Sequence, residues 1–157
     1  MNLLFFVPFL GFGLLVAGIA GYQLLALFNP RPRLTLSRAV LLPGETAELR
    51  WQFQGNCRQI ERLQIRLEGA EVHVHGRGKA RHVEHKKFAT LDLADVTRHV
   101  EIAAGRVEFR VPNDARPSQE SSPPRVEWHV RVRARIPHHP DITLDYPVRV
   151  GNPTAPP

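Results

Sequence analysis

A long alternation of apolar and polar residues is the feature that most limits the fold of this chain. From Val126 to Ile136 every second residue is apolar, and the residues between them are mostly charged. Successive side chains of a β-strand point to opposite faces, so this pattern predicts a strand with one buried face and one face in water. Shorter alternations recur at 34–36, 47–53, 63–67, 72–74, 107–111 and 142–150.

Turns rich in Gly, Pro and Asn separate these seven or eight predicted strands, and no segment after residue 30 has sustained helical spacing. Many half-buried strands joined by short turns are typical of an antiparallel β-sandwich of the immunoglobulin-like kind. Trp51 and Trp128 fall on the apolar side of their strands, and we expect them to anchor the core between the two sheets. The predicted fold class is therefore all-β.

An uncharged apolar segment precedes the predicted strands, from Leu3 to Phe28. As a helix it would measure roughly 39 Å, more than the hydrocarbon core of about 30 Å. The sequence thus predicts a transmembrane helix over residues 1–30, a β-sandwich over 31–151 and a Pro-rich tail over 152–157. A cleaved signal peptide is the alternative, but no Lys or Arg precedes the run, which is also longer than a signal peptide needs.

The charged residues all follow the apolar segment, and the formal net charge is +6. Arg31, Arg33 and Arg38 come directly after it, whereas no Lys or Arg comes before it. The positive-inside rule therefore predicts a single-pass protein of the plasma or inner membrane, with the β domain in the cytoplasm.

Small residues recur every four positions within the apolar segment, at Gly13, Ala17 and Gly21. This spacing lets two helix backbones approach closely and predicts a helix-packing surface toward another copy or another membrane subunit. The alternative is that Gly and Ala are simply frequent in membrane helices. Both interpretations assume that the segment is a membrane helix.

Three segments resemble strands of the arrestin family. Ile60–Glu71 is similar to an arrestin-type strand that ends in a Leu-x-Gly-x-Glu turn. Gly105–Pro112 is similar to the strand before that family's Pro-Ser turn, here Pro112–Ser118, and the strand Arg125–Ile136 follows it in the same order. The resemblance spans residues 34–150 and one of the two arrestin lobes. It implies a single arrestin-like β-sandwich lobe used for protein recognition, without catalysis.

A histidine-rich, basic stretch occupies residues 73–87. Its histidines are His73, His75, His82 and His85, and its other basic residues are Arg77, Lys79, Arg81, Lys86 and Lys87. If Gly76 and Gly78 turn the chain into a hairpin, the imidazoles approach one another and form a candidate zinc or copper site. Five cations oppose a divalent ion, so a solvated hairpin face and a contact surface for anions or a protein partner are the alternatives.

A stripe of guanidinium groups is predicted on one face of the longest strand, at Arg131, Arg133 and Arg135. Alternate arginines suit the recognition of carboxylates or phosphates by a partner. The alternative is an exposed sheet face whose arginines pair with acidic residues of neighbouring strands. The acidic residues available for such pairing are Glu48, Glu68, Glu108 and Asp145.

The sequence contains no acid pair, phosphate loop or catalytic triad in a suitable setting, so we expect neither an enzyme nor a cofactor. Basic and aromatic residues are not interleaved, which argues against nucleic acid as a partner. The predicted function is a membrane-anchored protein-interaction or scaffold module, with the lipid bilayer and a protein as partners. The alternatives are a metal-handling domain that uses the histidine-rich hairpin and an accessory subunit of a larger membrane complex.

Overall fold

The computed structural model describes residues 30–76, 82–121 and 123–152, which contain eight strands and one short helix. In chain order these are β1 (Arg31–Leu36), β2 (Val40–Leu41), β3 (Thr46–Gln54), β4 (Arg62–His75), β5 (His82–Val96), α1 (His99–Ala103), β6 (Ala104–Arg110), β7 (Arg125–Arg135) and β8 (Ile142–Val150).

The strands form two sheets. One has the order β1-β3-β6, and the other has the order β2-β8-β7-β4-β5. Neighbouring strands are antiparallel, except that β2 runs parallel to β8. The apolar sides of β3, β4 and β7 are buried in one continuous core, so the two sheets pack as the predicted sandwich.

Both tryptophans lie in the core, as the alternation predicted. Trp128 is 1% exposed and Trp51 is 5% exposed. The indole N–H of Trp51 donates to the carbonyl of Glu101 at 2.9 Å, and that of Trp128 donates to the carbonyl of Arg116 at 2.8 Å. Each ring therefore buries a large apolar surface while its polar atom stays hydrogen-bonded.

The turn expected at Gly69 is wrong, because β4 continues through this residue to His75. A Cβ atom at Gly69 would lie 2.8 Å from the ring of Phe88 and 3.0 Å from that of Trp128. The two rings themselves meet edge to face. The glycine thus makes room for aromatic side chains from the neighbouring strands rather than for a change of chain direction.

Most of β5 and all of α1 went unpredicted. The pairing of β4 with β5 shifts register at two bulges, where Leu93 and Phe88 are the extra residues on β5. After each extra residue, the side chains that follow point to the opposite face of the sheet from the one that strict alternation gives. The apolar residues of β5 therefore do not recur at every second position in the sequence. The helix α1 is only five residues long, and its one buried residue is Ile102.

The prediction of a transmembrane helix, and with it of a single-pass membrane protein with a cytoplasmic β domain, is corrected by the structure. No helix among the described residues is long and apolar enough to cross a membrane. The helix present there, α1, has five residues against the roughly 20 that a bilayer requires. Residues 1–29, including Gly13, Ala17 and Gly21, lie outside the described residues. The structure is thus an all-β fold with one short helix.

Replacing Gly105 by alanine should destabilise the sandwich. A Cβ atom at this position would lie 2.3 Å from the ring of Trp51, which is buried on the strand opposite. Overpacking of this kind typically costs about 1–3 kcal/mol. Urea unfolding of Gly105→Ala should show that loss, whereas Ala104→Ser at the neighbouring exposed position should change the free energy of unfolding by less than about 0.5 kcal/mol. An unchanged midpoint for Gly105→Ala would refute the packing described.

Candidate functional site

The predicted arginine stripe lies on the outer face of the five-stranded sheet and is held there by acidic neighbours. Arg131 pairs with both carboxylate oxygens of Asp145 at 2.7 and 2.9 Å, and also with Glu68 at 2.9 Å. Glu68 is only 7% exposed, and Lys87 contacts it at 2.8 Å. The guanidinium of Arg131 lowers the pKa of Asp145 by hydrogen bonding. Arg131 and Lys87 are thus members of one cross-strand network.

The same pattern continues along the sheet. Arg133 pairs with Asp141 at 3.1 Å, and Arg62 pairs with both oxygens of Asp95 at 2.7 and 2.5 Å. Arg135 is exposed and forms no ion pair with a described residue. For Arg131 and Arg133 the structure therefore matches the alternative of cross-strand pairing, and contact of all three arginines with a partner stays a prediction.

The basic hairpin is present as a two-stranded ribbon. The pairing of β4 with β7 ends at Val72, so from His73 onward β4 pairs with β5 alone. Lys86 lies opposite Glu71, just before the ribbon begins. Arg77, Lys79 and Arg81, predicted to contact a partner, lie outside the described residues.

The four histidines do not converge. His75 lies directly opposite His82, and the ring of His73 stacks on that of His75 with centroids 6.1 Å apart. His85 lies opposite Val72 and so occupies the other face of the ribbon. Among the described residues no three His, Cys, Asp or Glu side chains are grouped to hold a metal ion.

Carboxylates occupy the positions beside the stacked histidines. His73 bonds Glu71 at 3.2 Å, and Arg116 bonds the other oxygen of that carboxylate. The hydrogen bond from His73, followed by that from Arg116, lowers the pKa of Glu71. His75 approaches Glu84 at 3.7 Å. The imidazoles of His73 and His75 therefore each lie beside a carboxylate of the ribbon.

An open seam between the two sheets is the feature that sequence reasoning missed. The backbone N–H of Ser37 donates to the carbonyl of Glu48 at 2.9 Å, which fixes the alternation of hydrogen-bonded pairs between β1 and β3. By this alternation Thr35 bonds β3, whereas the N–H and C=O groups of Leu34 and Leu36 point away from it. No described strand pairs with β1 on that side.

A cleft of about 520 Å³ lies beside this free edge; its lining is mainly apolar but also includes Arg38, Glu120, Glu127 and Arg149. Leu34 and Leu36 line it from β1, and Val130, Tyr146 and Val148 line it from the other sheet. The hydroxyl of Tyr146 donates to the carbonyl of Pro32 at 2.8 Å and so joins the two sheets near the start of β1. Burial raises the pKa of this hydroxyl. The cleft is thus a half-buried part of the core that remains open at the seam.

No protein-family model matches the sequence, and no curated protein matches it either. The fold is similar to the crystal structure of Spo0M, a sporulation control protein from Bacillus subtilis, with a TM-score of 0.50 and 14% sequence identity. The match covers 78% of this chain and 49% of the other, so the chain spans about half the length of Spo0M. This likeness supports the fold predicted from the strand motifs, a single arrestin-like β-sandwich lobe.

The bidentate pair between Arg62 and Asp95 should be visible in the titration of the carboxylate. The pair lowers the pKa of Asp95 from 3.8 to about 2, chiefly through the hydrogen bonds from Arg62. Because the folded-state pKa is lowered, the pair stabilises the fold at neutral pH, and this contribution is lost as the pH falls below 3.8 toward 2. The effect on stability is small, since water reaches both side chains.

Carbon-detected NMR of Asp95 in Arg62→Gln should therefore give a pKa that returns toward 3.8. Arg135→Gln is the matched control, because Arg135 lies directly opposite Arg62 but does not bond this carboxylate. That variant should leave the pKa of Asp95 at about 2. Equal shifts in the two variants would mean that general charge, rather than the hydrogen-bonded pair, sets the pKa.

Proposed function

We propose that the domain is a non-catalytic protein-interaction module that binds an extended segment of a partner protein along the free edge of β1. The observation that carries the proposal is the coincidence of unpaired backbone groups and an apolar cleft at one seam. A strand that adds to a sheet edge gains affinity from main-chain hydrogen bonds and specificity from alternate side chains. β1 offers both kinds of contact.

The backbone part of the contact consists of four groups. Leu34 and Leu36 each present one N–H and one C=O on the side of β1 that faces away from β3. In most proteins such an edge is blunted by charge, proline or a covering segment. Here Pro32 and the hydroxyl of Tyr146 cover only the start of β1. A partner segment of a few residues can therefore extend the three-stranded sheet at Leu34 and Leu36.

The side-chain part of the contact is the cleft. Its volume of about 520 Å³ falls within the range of about 300–1,000 Å³ that is usual for binding sites. Every second side chain of an added strand points to the same face as Leu34 and Leu36. The partner segment should therefore carry apolar residues at alternate positions, and these fill the cleft.

The facing edge of β8 is less suited to accept a strand. β2 pairs with the end of β8 at Arg149 and Val150, and the N–H of Gly151 donates to the carbonyl of Leu41 at 2.8 Å. Pro147, near the middle of the exposed part, has no N–H to donate. These features favour β1 over β8 as the site of strand addition.

One further observation is consistent with this function: Spo0M, whose fold this domain shares, is described as a sporulation control protein. The predicted contact residues of the ribbon and the five-stranded sheet, Lys86, Lys87, Arg131, Arg133 and Arg135, remain a second candidate surface. Lys87 and Arg131 already hold Glu68, which makes them less available than the open edge.

Peptides selected from a random library against the full chain test the proposal. The selected peptides should alternate apolar and polar residues and bind to the seam. Leu34→Pro removes one outward N–H and one side chain of the cleft, and should weaken binding at least tenfold, which is about 1.4 kcal/mol. Val148→Trp fills the cleft without altering β1 and should weaken binding similarly. Calorimetry gives the affinities, and thermal unfolding confirms that each variant folds.

Val83→Lys provides the matched control, because Val83 is 43% exposed on the ribbon, away from the seam. Its affinity for the selected peptides should equal that of the unmodified chain. Binding that survives both Leu34→Pro and Val148→Trp, or that is lost in Val83→Lys, would contradict strand addition at β1.

A further inference from the structure

The outer face of the three-stranded sheet carries more arginines than carboxylates, and the described residues do not neutralise the excess. Its charged residues are Arg31, Arg33, Arg50, Arg106, Arg110, Glu48 and Glu108. Arg50 pairs with Glu48, and Arg110 donates to the carbonyl of Gly44 at 2.9 Å. Arg31, Arg33 and Arg106 form no ion pair with a described residue.

The placement of these arginines is unfavourable for the protein alone. Arg50 and Arg106 lie directly opposite each other on β3 and β6. Like charges at directly opposed positions destabilise a sheet. The five-stranded sheet also has two directly opposed arginines, Arg66 and Arg131. There each arginine has its own carboxylate, because Asp92 bonds Arg66 at 2.6 Å and Asp145 bonds Arg131. On the three-stranded sheet the one carboxylate among the described residues that bonds this pair is Glu48, which bonds Arg50.

A depression of about 450 Å³ lies between the same side chains. Arg33, Arg50 and Arg106 line it from three different strands, and Thr35 and Gln52 add a hydroxyl and an amide. Gly105 also lines the depression, but a side chain at this position would point the other way, toward Trp51 in the core. The polar side-chain groups of these three arginines, Thr35 and Gln52 are all hydrogen-bond donors, apart from the oxygens of Thr35 and Gln52.

We propose that this depression binds a small molecule that carries two or more linked oxyanion groups. A guanidinium pairs with a phosphate or a carboxylate through two parallel hydrogen bonds. Arg33 lies opposite Gln52 and Arg106 lies opposite Arg50, so the two arginines are two strand spacings of roughly 4.8 Å and two residues of about 3.4 Å apart, a separation of roughly 12 Å. A ligand with two linked groups engages both arginines, and its negative charge relieves the repulsion between Arg106 and Arg50.

This site is separate from strand addition at β1. Its ligand lies on the outer face of the sheet, whereas the cleft opens toward the core. The site can therefore be tested without any protein partner, and either proposal can fail while the other holds.

The probes are pyrophosphate, citrate and orthophosphate, each titrated into the full chain at low ionic strength and followed by calorimetry. Pyrophosphate or citrate should bind at least tenfold more tightly than orthophosphate. Binding of pyrophosphate alone assigns the site to phosphate groups, and binding of citrate as well assigns it to oxyanions in general. The double variant Arg33→Gln, Arg106→Gln should lose at least tenfold in affinity and should unfold at the same or a higher temperature, because repulsion with Arg50 is removed.

Arg58→Gln is the matched control, because Arg58 is an exposed arginine in the turn after β3. This variant should bind as the unmodified chain does. Three results would overturn the proposal: no binding of pyrophosphate or citrate, equal affinity for orthophosphate, or equal losses of affinity in Arg58→Gln and in the double variant.

Discussion

The indole N–H groups of Trp51 and Trp128 each need an acceptor inside the protein, and both find it on a connecting segment. Trp51 bonds the carbonyl of Glu101 in α1, and Trp128 bonds that of Arg116 in the loop before β7. A buried indole without its hydrogen bond would cost about 1–3 kcal/mol, so these contacts fix the two connections against the sandwich. The side chain of Arg116 then reaches Glu71 and covers the ring of Phe88.

The arginines of the two sheets differ in whether they have acidic partners. On the five-stranded sheet Arg62, Arg66, Arg131 and Arg133 each bond a carboxylate, and the buried Glu68 joins β4, β5 and β7 through Lys87 and Arg131. These four arginines already have partners within the protein. On the three-stranded sheet Arg33 and Arg106 lack such partners among the described residues, and the strand that carries Arg33 is also the one with the free edge. The surfaces available for ligands therefore cluster on the smaller sheet.

The sandwich could be predicted from sequence because the apolar residues of β3, β7 and β8 recur at every second position. The same reasoning failed for β5, where the bulges at Phe88 and Leu93 interrupt that period. Gly69 was interpreted as a turn because sequence alone does not show that two aromatic rings need its missing side chain.

The candidate site could not be predicted at all, for a different reason. Leu34 and Leu36 look like any strand residues in the sequence. Their importance depends on the order of strands in the sheet and on which residues of β1 bond β3. The arginine stripe at Arg131 and Arg133 was visible in the sequence, but its acidic neighbour Asp141 follows a turn and was not among the expected partners. Pairing across strands is a property of the fold and not of any one segment.

Amide hydrogen exchange along β1 reports directly on its free edge. In the unbound chain the amides of Leu34 and Leu36 should exchange rapidly, whereas those of Arg33 and Thr35, which bond β3, should exchange slowly. Slow exchange at Leu34 and Leu36 as well would show that another segment already covers this edge and that β1 is not open to a partner.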